Sequence, residues 1–242
     1  MATYPEARSE LRELTLTLHP LALHEPRGGA RALPAPPRLW NMVALVERFA
    51  AALLLLSVLP LLICAGLIVV VLSRRSPLVS HERVGQGGEI FWVLKLRTMW
   101  GGRESTNGDS RLFVERLQTE WVREIKRRDD PRITSRTAMF FRKYSIDELP
   151  QLWQVVQGKM SLVGPRPMTA QELSDRYGQA AAEVLRFRPG LTGLWQIRGR
   201  SRLNYGQRRR LDLLFVRSWS VRLYFRILLA TVPRVLTGKD AW

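Results

Sequence analysis

Apolar residues are distributed along this chain in two different ways. From Phe49 to Ser73 the run FAAALLLLSVLPLLICAGLIVVVLS carries no charge and exceeds the ~20 residues a helix needs to cross a bilayer. It predicts a membrane helix within residues 39–75. Its distance from the N-terminus, its length and the lack of a small-residue cleavage site before Arg74 and Arg75 separate it from a cleaved signal peptide. A core helix of a soluble fold is the competing reading of such a run. Elsewhere the apolar positions are interleaved with charge. SPLVSHERVGQGGEIFWVLKLRTM, with its glycine turn, predicts a strand hairpin or a strand entering a helix. WGGRESTNGDS reads as a loop, and Leu112–Arg127 as a charged amphipathic helix that Pro131 terminates. Leu149, Leu152, Trp153 and Val156 fall at the spacing of one helix face, with Gly158 placed to end it. The C-terminal RRRLDLLFVRSWSVRLYFRILLATVPRVL alternates arginine with large apolar residues, as helices in a membrane interface do; core or partner-binding helices are the alternative. The first 38 residues, closing on HEPRGGARALPAPPR, predict a mobile tail, and residues 76–242 a separate domain.

The membrane segment has no evident polarity. Arg38 and Arg48 precede it and Arg74 and Arg75 follow it, so positive charge flanks both ends and gives no orientation for a simple crossing. Pro60 stands near its centre, where a missing N–H favours a kink, and Ser57 is placed to offer its hydroxyl to a nearby carbonyl. The residues alone leave two arrangements open: a helix that enters, bends and returns, and a straight crossing with a tolerated proline.

Composition adds a requirement for anions. The 242 residues contain 38 Lys and Arg against 21 Asp and Glu, a formal charge of +17, while 46% are hydrophobic, enough for a buried core. Nucleic acid, anionic lipid and phosphorylated small molecules all answer to that charge. Cys64 excludes an internal disulfide; inside its apolar run it predicts a buried, inert thiol and a reducing compartment. His19, His24 and His81 lack metal-ligand spacing.

The candidate chemistry lies in SIDELPQLWQVVQGKMSLVGPRP, Ser145–Pro167. A helix cap at or near Asp147 puts Pro150 in the first turn, where N–H groups lack intrahelical partners, and sets Asp147 and Glu148 at the positive end of the helix dipole. Acids there are ordinary stabilisers worth about 1 kcal/mol. Arg142 and Lys143 upstream, and Arg166 between Pro165 and Pro167 downstream, support a second reading. Paired carboxylates take a hard cation such as Mg2+, guanidiniums take phosphate, and a low-pKa aspartate can attack phosphorus. In RFRPGLTGLWQIRGRS, Pro189-Gly190 predicts a turn ahead of Trp195 and a basic stretch.

These motifs in this order, together with ERVG, KLRTM, DPRIT, RPGLTGLWQIRGRS and LTGKDAW, resemble the bacterial sugar transferases, the monotopic phosphoglycosyl transferases; the likeness covers about four fifths of the chain. The resemblance implies an α-rich α+β monotopic membrane protein. One re-entrant, proline-broken helix would have both ends cytoplasmic, followed by a small cytoplasmic catalytic domain with interfacial amphipathic helices. It implies transfer of a sugar 1-phosphate from a UDP-sugar to polyprenyl (undecaprenyl) phosphate at the bacterial inner membrane, with UMP released, Mg2+ as cofactor and an aspartyl phosphosugar intermediate. By matching position, Asp147 is the nucleophile and Glu148 the Mg2+ ligand. Arg142 contacts phosphate, Arg166 with Pro165 and Pro167 forms an active-site motif, and Lys95 and Arg97 are further phosphate contacts. Pro60, with Ser57, marks the helix break. TGLWQ resembles versions that handle plain hexoses. The chain departs from the family pattern at Leu59 before Pro60, at TAMFF before Arg142 and at His81 before ERVG. Membrane lipid is an expected partner, a homo-oligomer is compatible with the sequence, and nucleic acid is not expected, for want of any recognisable binding module. A non-enzymatic basic adaptor on anionic lipid is the competing class.

Overall fold

The computed structural model describes residues 38–99, 135–199 and 202–238. The expected tail, the loop after Met99, the amphipathic helix over Leu112–Arg127, DPRIT and the last four residues lie outside them.

The apolar run forms α1, Arg38–Ser73, assigned as one helix through Pro60. It is the competing core reading and the membrane reading at once, because protein covers only one side of it. Trp40, Ala51, Leu55 and Val58 pack into the main core, and Leu62, Ala65 and Val69 into a second cluster with Leu96, Phe141 and Ile146. These positions recur every three or four residues, the repeat of a single helix face. The opposite face leaves Leu45, Val46, Phe49, Leu53, Leu56, Leu67 and Val71 more than half exposed, an apolar surface suited to lipid. Cys64 lies on the uncovered side and is exposed, not buried as its apolar surroundings suggested. The Ser57 hydroxyl donates to the Leu54 carbonyl at 2.7 Å, not to Leu56, whose carbonyl faces the amide that Pro60 lacks.

A buried acid ties the head of α1 to the domain. Glu47 is 4% exposed, and its Oε1 accepts from Ser161 Oγ at 2.6 Å, from the Leu162 amide at 2.9 Å and from the Tyr224 hydroxyl. Three donors offset the cost of taking a carboxylate out of water. Beside it, Arg48 Nε donates to the Val156 carbonyl at 2.8 Å, and Trp40 meets Phe187 and Trp219 edge-on.

After α1 the chain forms the antiparallel hairpin of β1, Leu78–Val84, and β2, Ile90–Leu96, pairing His81 with Val93 and Val79 with Lys95. Helix α2, Arg136–Lys143, is capped by Ser135 and leads into a 3-10 turn, Ile146–Gln151, and then α3, Leu152–Val156. Strand β3, Ser161–Val163, runs parallel to β4, Gly190–Thr192. Between them lie α4, Ala170–Tyr177, and α5, Ala181–Val184. Helices α6, Leu194–Arg198, α7, Tyr205–Arg217, and α8, Val221–Thr237, complete the fold. The mostly helical expectation holds, with two small sheets.

Four local expectations change. Ser145, in the left-handed conformation at φ 56°, occupies the cap position, so the acids sit on the first residues of a 3-10 turn instead of an α-helix starting at Asp147. The tighter turn shifts the apolar phase: Leu152 and Val155 are buried while Trp153 is 47% exposed. Pro189-Gly190 makes no turn. Gly190 opens β4, where a Cβ would lie 2.0 Å from the Gly164 amide nitrogen, so glycine there permits backbone to touch backbone. Of the two expected interfacial helices, α7 buries Leu211, Phe215 and Val216 in the core, whereas α8 exposes Phe225, Leu229, Val232 and Leu236 along one stripe.

Within this core Tyr177 of α4 donates to Asp212 Oδ2 of α7 at 2.7 Å. Burial pushes the Asp212 carboxyl up to about 7, against the Tyr177 hydrogen bond and the charges of Arg166 and Arg208, which pull it down. The native state therefore takes up a proton between pH ~4 and ~7 that the unfolded chain does not hold. This group's stabilisation is complete at low pH and lost as pH rises through 7. Asp212→Asn is expected to remove that dependence: its melting temperature relative to the parent protein should rise between pH 5 and pH 8.5 in a detergent-solubilised thermal scan. Glu47→Ala strands the Leu162 amide and the Tyr224 hydroxyl, while Ser161 can still donate to the Val163 carbonyl, and should cost about 3 kcal/mol, read as a fall in melting temperature; Glu47→Gln, which keeps an acceptor oxygen, should cost distinctly less.

Candidate active site

Three segments far apart in the sequence meet at one cleft. The hairpin supplies the first wall. Directly opposed residues of an antiparallel pair share a face, so the pairing places Val79, His81 and Arg83 on the same side as Lys95, Val93 and Phe91. Of these, His81, Arg83, Val93 and Lys95 line the cleft. The 3-10 turn supplies the second wall through Glu148 and Gln151, and the Arg166–Pro167 loop the third, with Gly190, Leu191 and Gln196 beside it.

The third wall is held by close backbone contact. The Gly164 amide donates to the Thr192 carbonyl at 2.8 Å and the Gly190 amide to the Pro165 carbonyl at 2.7 Å. Pro165 is fully buried. Between two prolines, and with its guanidinium carbon 5.6 Å from the centre of the Trp195 ring, Arg166 has little freedom.

Lys95 Nζ donates to Glu148 Oε1 at 2.9 Å, across a partly exposed pair. Asp147 is partly exposed but walled by protein on most sides. Burial and the charge of Glu148 push its carboxyl up to about 6, while Lys95, Arg142 and a backbone hydrogen bond pull it down. The low-pKa aspartate expected from the arginines is thus not what the fold builds: the like charge next door and desolvation outweigh the cations. Arg142 reaches Asp147 electrostatically although TAMFF precedes it; that stretch forms part of α2, with Ala138 and Phe141 buried and the arginine in the last turn. Arg97 Nε donates to the Ser76 carbonyl at 2.9 Å, and Arg97 is not among the residues lining the cleft.

Among the described residues no three His, Cys, Asp or Glu side chains are grouped to hold a metal by themselves. Two adjacent carboxylates, one of them held by Lys95, suit an ion that takes few protein ligands and several water or phosphate oxygens.

Reading from the sequence missed His81, Arg83, Gln151 and Gln196. For the first two a signal existed: period-two alternation along β1, together with the hairpin register, would have put them beside Lys95. His81 is held below its ordinary value by burial and by Arg83 and Lys95, so the imidazole is neutral near pH 7. The other two carried no local signal.

Comparison with known proteins places the chain. The bacterial sugar transferase family matches residues 40–238. A UDP-galactose-lipid carrier transferase of Erwinia amylovora is 40% identical over 190 residues, 77% of this chain and 39% of that protein. The exopolysaccharide production protein ExoY of Rhizobium meliloti is 41% identical over 192 residues, 79% of this chain and 83% of its own length. A UDP-glucose:undecaprenyl-phosphate glucose-1-phosphate transferase of Caulobacter vibrioides is 39% identical over 204 residues, 80% of this chain and 69% of its own. The chain therefore spans about two fifths of the Erwinia protein but most of the other two. With a match that runs from the head of α1 to the residue after α8, the chain belongs to the bacterial sugar transferase family.

Proposed function

We propose that the protein transfers a hexose 1-phosphate from a UDP-sugar to polyprenyl phosphate, releasing UMP, in the membrane step that starts a surface glycan. The observation that carries this reading is the acid pair itself: Glu148 lines a cleft with Arg83, Lys95 and Arg166, and Asp147 stands next to it within the electrostatic reach of Lys95 and Arg142. The relatives named for galactose, glucose and undecaprenyl phosphate support the substrate classes.

The chemistry is two displacements at phosphorus. Ionised Asp147 attacks the sugar-linked phosphorus, a P–O bond forms to its carboxylate, and the bond to UMP breaks with its electron pair leaving on the UMP phosphate. An oxygen of polyprenyl phosphate then attacks the same phosphorus, and the carboxylate departs. A poorly solvated carboxylate is a better nucleophile than a hydrated one, so the burial that raises its affinity for a proton also favours attack once the proton is gone. Lys95 and Arg142 favour that ionised form. Glu148, beside Asp147, would hold Mg2+, whose charge, when bound, would neutralise the phosphate oxygens. Arg166 and Arg83 bind donor and acceptor phosphates.

Helices α1 and α8 support a membrane geometry. Both halves of α1 pack on the same domain, which favours a helix whose two ends lie on one side of the bilayer. We read α1 as entering and leaving the same leaflet of the bacterial inner membrane, bent near Pro60, with the domain on the cytoplasmic face. The apolar stripe of α8, flanked by Arg222 and Arg226, would rest at head-group depth.

Asp147→Asn should abolish transfer, by roughly a thousandfold or more, and with donor alone the parent protein, but not the variant, should gain the mass of a phosphosugar on the peptide containing position 147. Glu148→Gln should also abolish turnover; a lipid adaptor would tolerate both changes. If no UDP-sugar yields UMP together with a lipid-linked product in the presence of Mg2+, the reading is wrong. Reporter tags at the two ends of the chain should both be cytoplasmic; opposite locations would rule out the same-leaflet arrangement.

A further inference from the structure

The cations around the cleft fall into two groups. Lys95 and Arg142 act on Asp147, and Lys95 holds Glu148. Arg166 belongs to the other group: its charge acts on Arg83, Arg208 and Asp212. The second group is built around one indole. Arg166 and Arg208 both lie against Trp195, with guanidinium carbons 5.6 and 4.9 Å from the ring centre, and Arg208 is also 5.0 Å from the ring of Tyr205.

Packing alone does not account for this arrangement. Two like charges share one aromatic platform, and each disfavours the other's neighbour. Arg208 Nε is buried without a hydrogen-bond partner among the described residues, as are Trp195 Nε1 and Gln196 Oε1, and an unsatisfied buried donor costs on the order of 1–3 kcal/mol. The nearby acids are committed elsewhere. Asp212 accepts from Tyr177, and Glu172 accepts from the Thr169 amide at 3.0 Å to cap α4 and lies 3.9 Å from Arg176. A convergent, half-buried guanidinium pair with a donor to spare suits an anion with several acceptor oxygens, which a phosphate monoester supplies.

We propose that Arg166 and Arg208 on the Trp195 platform, with Arg83 on the cleft wall, form a second phosphate subsite, used first by the phosphate of departing UMP and then by the phosphate of the lipid acceptor. This rests on the transfer reading above. In-line displacement requires the shared use: UMP leaves on the side of phosphorus opposite Asp147. When the Asp147 carboxylate becomes the leaving group, the acceptor oxygen must enter from the side that UMP vacated. One anion site then serves both phosphates in turn, recognising only what they have in common.

The test uses the full chain in nanodiscs and compares Arg208→Gln, Arg208→Lys and Arg217→Gln, the last removing a bond to Glu183 outside the cleft. UMP affinity is measured by equilibrium binding, and acceptor KM with polyprenyl phosphate at saturating donor. Arg208→Gln should weaken UMP binding and raise acceptor KM together, each roughly ten- to a hundredfold, with Arg208→Lys intermediate and Arg217→Gln unchanged. Should Arg208→Gln unfold early in a thermal scan, Arg208→Lys carries the comparison, with the same paired direction and a smaller size. A change in UMP binding without a change in acceptor KM overturns the shared subsite, as does no change in either. Donor-only labelling of the parent protein at Asp147 separates the two ideas: labelling with unaltered UMP and acceptor constants sinks the subsite alone, while absence of labelling sinks the transfer reading and the subsite with it.

Discussion

Two carboxylates on consecutive residues, partly shielded from water, repel one another, and much of this structure is arranged around that repulsion. The 3-10 turn carries Asp147 and Glu148 on consecutive residues near its start, so the chain itself keeps the two charges close. Lys95 takes one oxygen of Glu148, and Arg142 acts on Asp147 from α2. These charges offset the repulsion only in part, and the carboxyl of Asp147 stays above its ordinary range. A group in that condition gains from any added positive charge and from forming a bond that neutralises it, the two things phosphoryl transfer offers.

Cations must then be brought close without collapsing onto the acids. Lys95 bonds Glu148 directly, whereas Arg166 and Arg83 are held by other means. Arg166 is confined by flanking prolines and an indole, and the loop that carries it is locked by the approach of Gly164 to Gly190, too close for any side chain. Arg83 and His81 stand on a hairpin whose register fixes their face. Rigid strands and backbone contacts hold these groups at a working separation, which long free side chains on a loop would not.

The membrane helix is joined to the same frame. Glu47 links α1 to β3 through Ser161 and Leu162, and to α8 through Tyr224. The strand gripped by Glu47 leads directly into Gly164 and Arg166, so the element facing lipid and the loop facing the cleft share one buried carboxylate. In the transfer proposed above a lipid acceptor and a soluble donor would meet at a set depth, and this linkage would fix the cleft relative to the apolar face of α1.

Much of this was legible from residue order alone. The uncharged run, the adjacent acids, the prolines around Arg166 and the glycine that ends α3 announce themselves through local chemistry: hydrophobic length, a like-charge pair, a restricted backbone and a positive φ. Tertiary structure decided the rest. Which side of α1 meets protein, that Cys64 is exposed, that α7 belongs to the core while α8 shows an apolar stripe, that Gly190 serves contact and not a turn, and that His81 and Arg83 line the cleft while Arg208 shares the Trp195 ring with Arg166 all depend on neighbours distant along the chain. The physical reason is range: propensity, capping and charge spacing act over a few residues, whereas burial, desolvation and the convergence of like charges exist only once separate segments are packed together.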